Sequence, residues 1–267
     1  MLVPTTLSDF SRHGAQFDLV QRRKQLPAAR RHRLRAILPS RVSASAVADG
    51  ERSGPAVDLC ALERPAQFDR AGARRQMDLA DNDVAMVFIA LGHFERKGLP
   101  LVIAAMQDLK NPALKLLIVG GEADLMRTYQ NRVNAVGLDS QVRFFGMQTD
   151  IRSYLWVSDV FIFPSAYETF SLVSFQAAAA GLPIIVPRIY GLEEFAKDGI
   201  NSIIIQADHQ AVREGIARFM ALSVVDRQEM GRRAQEDVRR FSADNFDAAW
   251  RDVYARCANA PAMEASR

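Results

Sequence analysis

From residue 84 onward the chain alternates two hydrophobic rhythms. Short, nearly continuous apolar runs at 84–91, 114–119, 142–145, 160–163, 183–186 and 202–205 are too brief for core helices and rich in Val, Ile, Leu and Phe, which is how strands buried on both faces read. Between them, apolar residues recur at helical spacing. Leu125, Tyr129, Val133 and Val136 form one such stripe and stop at Gly137, a residue suited to closing a helix. Val212, Ile216, Phe219 and Met220 form another before Asp226 opens a further helix. A last stripe of Phe246, Trp250, Val253, Tyr254 and Cys257 follows a start at Ser242 or Asp244 and reads as core. The alternation predicts βα units in a single doubly wound parallel sheet, an α/β domain over residues 81–258 with a tail at 259–267.

Residues 1–80 keep neither rhythm. The Arg-rich RRHRLR at 30–35 and the breaker-rich ADGERSGP at 48–55 predict a weakly ordered basic arm apart from short helices. Composition changes the picture only when divided along the chain. The net charge of +3 hides nine Arg and Lys against two Asp in residues 1–41, leaving 25 basic against 29 acidic groups elsewhere. The body is therefore not basic, nucleic acid is not an expected partner, and charge in the arm allows at most peripheral contact with an anionic membrane. No run approaches the roughly 18–20 apolar residues of a spanning helix, and the first residues lack a leader pattern; the expected location is cytoplasmic, or peripheral to the inner face of the membrane. Two distant cysteines, Cys60 and Cys257, and four dispersed histidines predict neither a disulfide framework nor a metal site. No repeat of 20–50 residues is visible, which argues against a solenoid.

Candidate chemistry gathers where the apolar runs end. The segment FPSAYETFSLVSFQAAAAGLP at 163–183 joins a strand end, an acidic loop and a helix start. Amides at such a helix start are unpaired donors at the carboxyl edge of a sheet, a place suited to a pyrophosphate. The first run leads into GHFERKG at 92–98, where Arg96 and Lys97 read either as a solvated helix start or as cations aimed at an anion; beside Glu168 the second reading is preferred. The turns GGE at 120–122 and FGMQTD at 145–150 follow the second and third runs. Small residues in the first of these permit close backbone approach, and Asp150 in the second reads as an ordinary helix cap.

These segments resemble the donor-binding, C-terminal half of GT-B glycosyltransferases of the group 1 type (family 4), including the branch with lipopolysaccharide-core hexosyltransferases. The resemblance covers about residues 84–257. It implies a nucleotide-sugar donor, UDP- or GDP-linked, no other cofactor and no metal for the chemical step. Glu168 would orient the sugar, while Arg96 and Lys97 would offset charge on the diphosphate. Gly92, Gly120, Gly121 and Met147 would line the nucleotide. Backbone amides of Thr169, Phe170, Ser171, Leu172 and Val173 would hold phosphate oxygens, and Gln176 the ribose. Three positions depart from the family pattern: His93 stands where Arg is commoner, Ser171 where Gly is usual, and Gln176 where a second carboxylate is usual. The glutamine keeps an acceptor but loses the charge assistance of a carboxylate. The implied activity is retaining hexosyl transfer in polysaccharide biosynthesis, to a glycan or a lipid-linked sugar. Family enzymes also have a second Rossmann-like half holding the acceptor, which residues 1–80 are too short and irregular to build; either a partner chain would supply it, as in a split enzyme, or the chain is a truncated form. The alternative is a non-catalytic nucleotide-sugar-binding module. The GLEE turn at 191–194 is expected to be structural.

Overall fold

The computed structural model describes residues 59–189 and 191–259; the basic segment at 1–41 and the last eight residues lie outside them. All six apolar runs form strands: β1 (Val84–Ile89), β2 (Leu114–Val119), β3 (Val142–Gly146), β4 (Val160–Ile162), β5 (Ile184–Pro187) and β6 (Ser202–Ile205). They make one parallel sheet in the order β3-β2-β1-β4-β5-β6. In β1 Val87 pairs with Leu117 of β2 on one side and with Phe161 of β4 on the other. Ala85, Met86, Val87 and Phe88 point alternately to the two faces and are all fully buried, so both faces are covered, as the unbroken apolar runs require.

The cover consists of α1 (Arg70–Gln76), α2 (Leu99–Leu109), α3 (Ala123–Ala135), α4 (Arg152–Val157), α5 (Leu172–Ala179), α6 (His209–Ala221), α7 (Val224–Val238) and α8 (Ala243–Asn259). Their ends follow local chemistry. Asp208 and Ser223 cap α6 and α7 by accepting from the amides of Ala211 and Asp226. Asp150 accepts from the Arg152 amide at 2.9 Å just ahead of α4, but the cap position expected of it is held by Ile151. Helix α2 packs on α6, and α5 on α7.

The ordered body begins earlier than the apolar rhythm suggests. Residues 59–80, assigned to the arm on sequence, bury Leu59, Leu62 and Leu79 in the core. What holds α1 is polar. Buried Arg74 donates to the carbonyls of Val157, Ala80 and Asp83, and Arg70 donates to those of Trp156, Val157 and Ser158. Both guanidinium groups meet Asp159, which also accepts from the Ala85 amide at 2.8 Å. A hydrophobic count misses such a brace because its partners are carbonyls at the amino edge of the sheet.

The second difference is α8. Phe246, Trp250, Val253 and Tyr254 do share a face, but residues 244–256 are all exposed. The stripe expected to be core therefore lies uncovered by any described residue, because periodicity reports that a face is apolar and not that something rests on it.

Candidate functional site

In a parallel sheet of this order the connections after β1 and β4 leave toward opposite sides, opening a crevice at the carboxyl edge between two central strands. The segments singled out on sequence, 92–98 and 163–183, fall in these two connections. They are fastened to each other. The amide of Ala166 donates to the Arg96 carbonyl at 3.0 Å. Gly98, at φ +82°, begins α2 with its Cα pressed so close to Pro164 that a Cβ would collide with the Pro164 carbonyl oxygen. Phe94 anchors the first loop from beneath: it is buried, with edge-on contacts to Phe88 at 5.8 Å and Tyr129 at 5.3 Å. Beside it Glu95 pairs with Arg132, whose guanidinium holds the Glu95 carboxyl below the usual carboxylate range.

Across this join the Lys97 ammonium forms an ion pair with Glu168 Oε1. Lys97 Nζ also stands 5.3 Å above the Phe163 ring, a cation–π contact. The two side chains are mostly covered, at 16% and 12% exposure, so their mutual attraction is less screened than at the open surface. The Ser165 hydroxyl, which the sequence reading passed over, donates to the same Glu168 Oε1 at 2.7 Å. Its signal was present as a lone polar residue directly after the apolar run and proline at 160–164.

The remaining candidates spread around this pair. Arg96 is exposed and makes no ion pair among the described residues. Phe170 stacks flat on Phe175, with centroids 4.8 Å apart, and leaves half its surface exposed. At the head of α5 the Leu172 amide is taken by the Phe170 carbonyl and that of Ser174 by Ser171; the amides of Thr169, Phe170, Ser171 and Val173 have no acceptor among the described residues. One of the five expected donors is thus used internally. The Ser171 hydroxyl turns inward, 2.7 Å from Ser174 Oγ, and its residue is buried, so it does not crowd the crevice. Gln176 sits one turn into α5, partly buried.

Gly92 opens the first loop. Gly120, Gly121 and Met147 follow β2 and β3, on the β1 side of the switch point. Gly120 has a local reason to be glycine, since at φ +99° a Cβ there would strike the Ala90 carbonyl oxygen; its amide also donates to the Gly146 carbonyl at 2.6 Å. Met147 is half exposed. Exposed Leu91, Met147, Tyr167, Phe170 and Leu172 all lie on connections leaving the carboxyl edge, which makes the site an open shelf.

A cleft of about 820 Å³ opens elsewhere, at the amino edge, bordered by Arg70, Asp83, Asp159, Pro183 and Arg227. Of the guanidinium groups lining it, Arg70 is committed to the brace described above, Arg227 to the carbonyls of Phe219 and Met220, and Arg232 to Glu229 and Glu236. The cation and carboxylate suited to a charged ligand stand at the other edge. No group of three or more His, Cys, Asp and Glu able to hold a metal occurs among the described residues, and no helix there is long and apolar enough to cross a membrane.

A six-stranded parallel sheet in this order, with a cation, a carboxylate and helix-start amides meeting at its switch point, defines a Rossmann-like domain with a candidate site at the carboxyl edge. Residues 74–237 match the family model described as "Glycosyl transferases group 1". The chain belongs to that family, and its sheet is the C-terminal Rossmann-like half of a GT-B fold. The lipopolysaccharide core biosynthesis glycosyltransferase LpsE of Rhizobium meliloti is 31% identical over 176 residues, 64% of this chain and 50% of LpsE. Among solved structures, Anabaena Alr3699/HepE in complex with UDP is similar at a TM-score of 0.66 and 22% identity, over 74% of this chain and 55% of that one. The C-terminal domain of the group 1 glycosyl transferase LpcC from Francisella tularensis aligns at a TM-score of 0.58 and 19% identity, over 67% of this chain and 95% of that one. The chain spans about half the length of the curated relatives it matches.

Proposed function

We propose that this chain is the donor-binding part of a glycosyltransferase that moves a hexosyl group from a UDP- or GDP-linked sugar to a glycan or lipid-linked acceptor, with retention at the anomeric carbon, in polysaccharide biosynthesis. The observation that carries the reading is the meeting of Lys97 and Glu168 across the switch point, beside amides that have no acceptor among the described residues. The HepE structures with UDP and with UDP-glucose support this donor class by analogy.

In this reading the diphosphate lies against the head of α5, where amide donors and the helix dipole favour an anion. Lys97 exchanges Glu168 for a phosphate oxygen, and exposed Arg96 adds a second cation. As the bond from the sugar to the diphosphate breaks, negative charge grows on the leaving phosphate, and fixed cations there lower the barrier. Glu168, released from Lys97, accepts from sugar hydroxyls and fixes the hexose relative to its leaving group. Gln176 holds the ribose through neutral hydrogen bonds. No second Rossmann-like sheet lies among the described residues, so transfer requires an acceptor platform outside them.

Titration calorimetry with UDP, GDP and their hexose conjugates tests the assignment. Lys97→Ala is expected to weaken nucleotide and nucleotide sugar together by about tenfold or more, the scale of a lost charge-assisted bond. Glu168→Ala is expected to weaken the nucleotide sugar while sparing the nucleotide, and the double variant to lose donor binding. Unaltered affinities in both single variants would refute the site.

A further inference from the structure

Resting on that reading, we propose that Ser165 is a positioning residue for Glu168, keeping the carboxylate in place for the sugar when the diphosphate draws Lys97 away. Glu168 has two partners in the ligand-free protein, and both end on the same oxygen. Lys97 and the Ser165 hydroxyl each donate to Oε1, while Oε2 has no donor among the described residues and remains to accept from a ligand hydroxyl.

The two partners differ in what a ligand can do to them. Lys97 is a point charge on a flexible stem, and a diphosphate beside it competes for that charge. Ser165 cannot be drawn off in the same way. Its residue is completely buried, directly after Pro164, and its backbone is fixed by its N–H, which donates a hydrogen bond to the Phe163 carbonyl at 2.8 Å. The hydroxyl has one proton to give. Besides Glu168 at 2.7 Å, the carbonyls of Tyr167 at 3.1 Å and Arg96 at 3.5 Å are within reach, and the shortest of the three contacts is to the carboxylate.

When Lys97 turns to a phosphate, a carboxylate that is only 12% exposed loses its cation. A covered charge left without donors is costly, and without Ser165 the side chain would rotate toward water and away from the sugar. With Ser165 present, one charge-assisted bond persists through the exchange. The serine thus acts through Glu168 and has no need to touch the ligand.

The test is a double-mutant cycle in the full chain, read by calorimetry with UDP and with UDP-glucose, or the GDP pair if that base is the one bound. Ser165→Ala is expected to weaken UDP-glucose roughly tenfold, as loss of a hydrogen bond to a charged group does, and to change UDP affinity less than about twofold. In a Glu168→Ala background the same serine substitution is expected to change UDP-glucose affinity less than about twofold, because residues acting as one unit do not add. An equal loss in both backgrounds, an equal loss for UDP and UDP-glucose, or no loss at all overturns the role of Ser165 and leaves the donor site standing. Failure of the unaltered chain to bind any of the four ligands overturns the donor site, and the role of Ser165 with it.

Discussion

At the scale of single residues, the site depends on close approach as much as on charge. Gly98 joins two loops because nothing larger than hydrogen fits against the Pro164 carbonyl, and its φ of +82° suits glycine. Gly98→Ala is expected to cost about 2–3 kcal/mol, the sum of a left-handed backbone penalty and a displaced loop. Urea denaturation checks the stability, and calorimetry checks an accompanying loss of nucleotide affinity as Lys97 moves with its loop. A variant with unchanged stability and binding would show that the two loops are not tightly joined. Much of this was legible in sequence: Glu168, Arg96, Lys97 and the glycine-bearing turns all stood at the ends of apolar runs. What was not legible was which partner each polar group would choose. The Ser171 hydroxyl, at the head of α5, bonds Ser174, while that of Ser165, unmarked by any motif, meets the Glu168 carboxylate. Hydroxyls a few residues apart differ only in the direction the backbone gives them, and that direction is set by packing.

At the scale of elements, the parallel strands were the readable part, since burial on both faces leaves an uninterrupted apolar signature. Helix α1 was hidden for the opposite reason: it is fastened by guanidinium groups reaching carbonyls more than 80 residues away, a pattern with no period. Helix α8 was read as a helix and wrongly placed in the core. Its aromatic stripe is internally consistent, with Phe246, Trp250 and Tyr254 in successive ring contacts at 6.1 and 5.7 Å, yet residues 244–256 are exposed. Removing residues 243–267 is therefore expected to change the unfolding free energy by less than about 1 kcal/mol, the range of changes away from packed features. Chemical denaturation followed by far-UV circular dichroism measures it. A loss of several kcal/mol would mean that the stripe is covered in solution.

For the molecule as a whole, the strand order does what no local motif can. It lays β1 beside β4 and so brings one loop against another from a distant part of the chain. A ligand bound there grips the two central strands together, and UDP or GDP at about 100 times its dissociation constant is expected to stabilise the domain by about 2.7 kcal/mol. Thermal unfolding with and without nucleotide checks this, with Lys97→Ala at the same nucleotide concentration losing about half of the shift or more, as a tenfold weaker affinity requires; a nucleotide that binds without raising the unfolding temperature would contradict it. The α/β class was legible from alternation alone, but the sequence could not show which strands become neighbours, because pairing is settled by how all the helices pack at once. Lys97 and Glu168 are 71 residues apart along the chain. A ribosome that has not yet released β4 and the loop after it carries a polypeptide with only one of the two loops, so the Lys97–Glu168 pair can close only after both halves of the crevice have emerged.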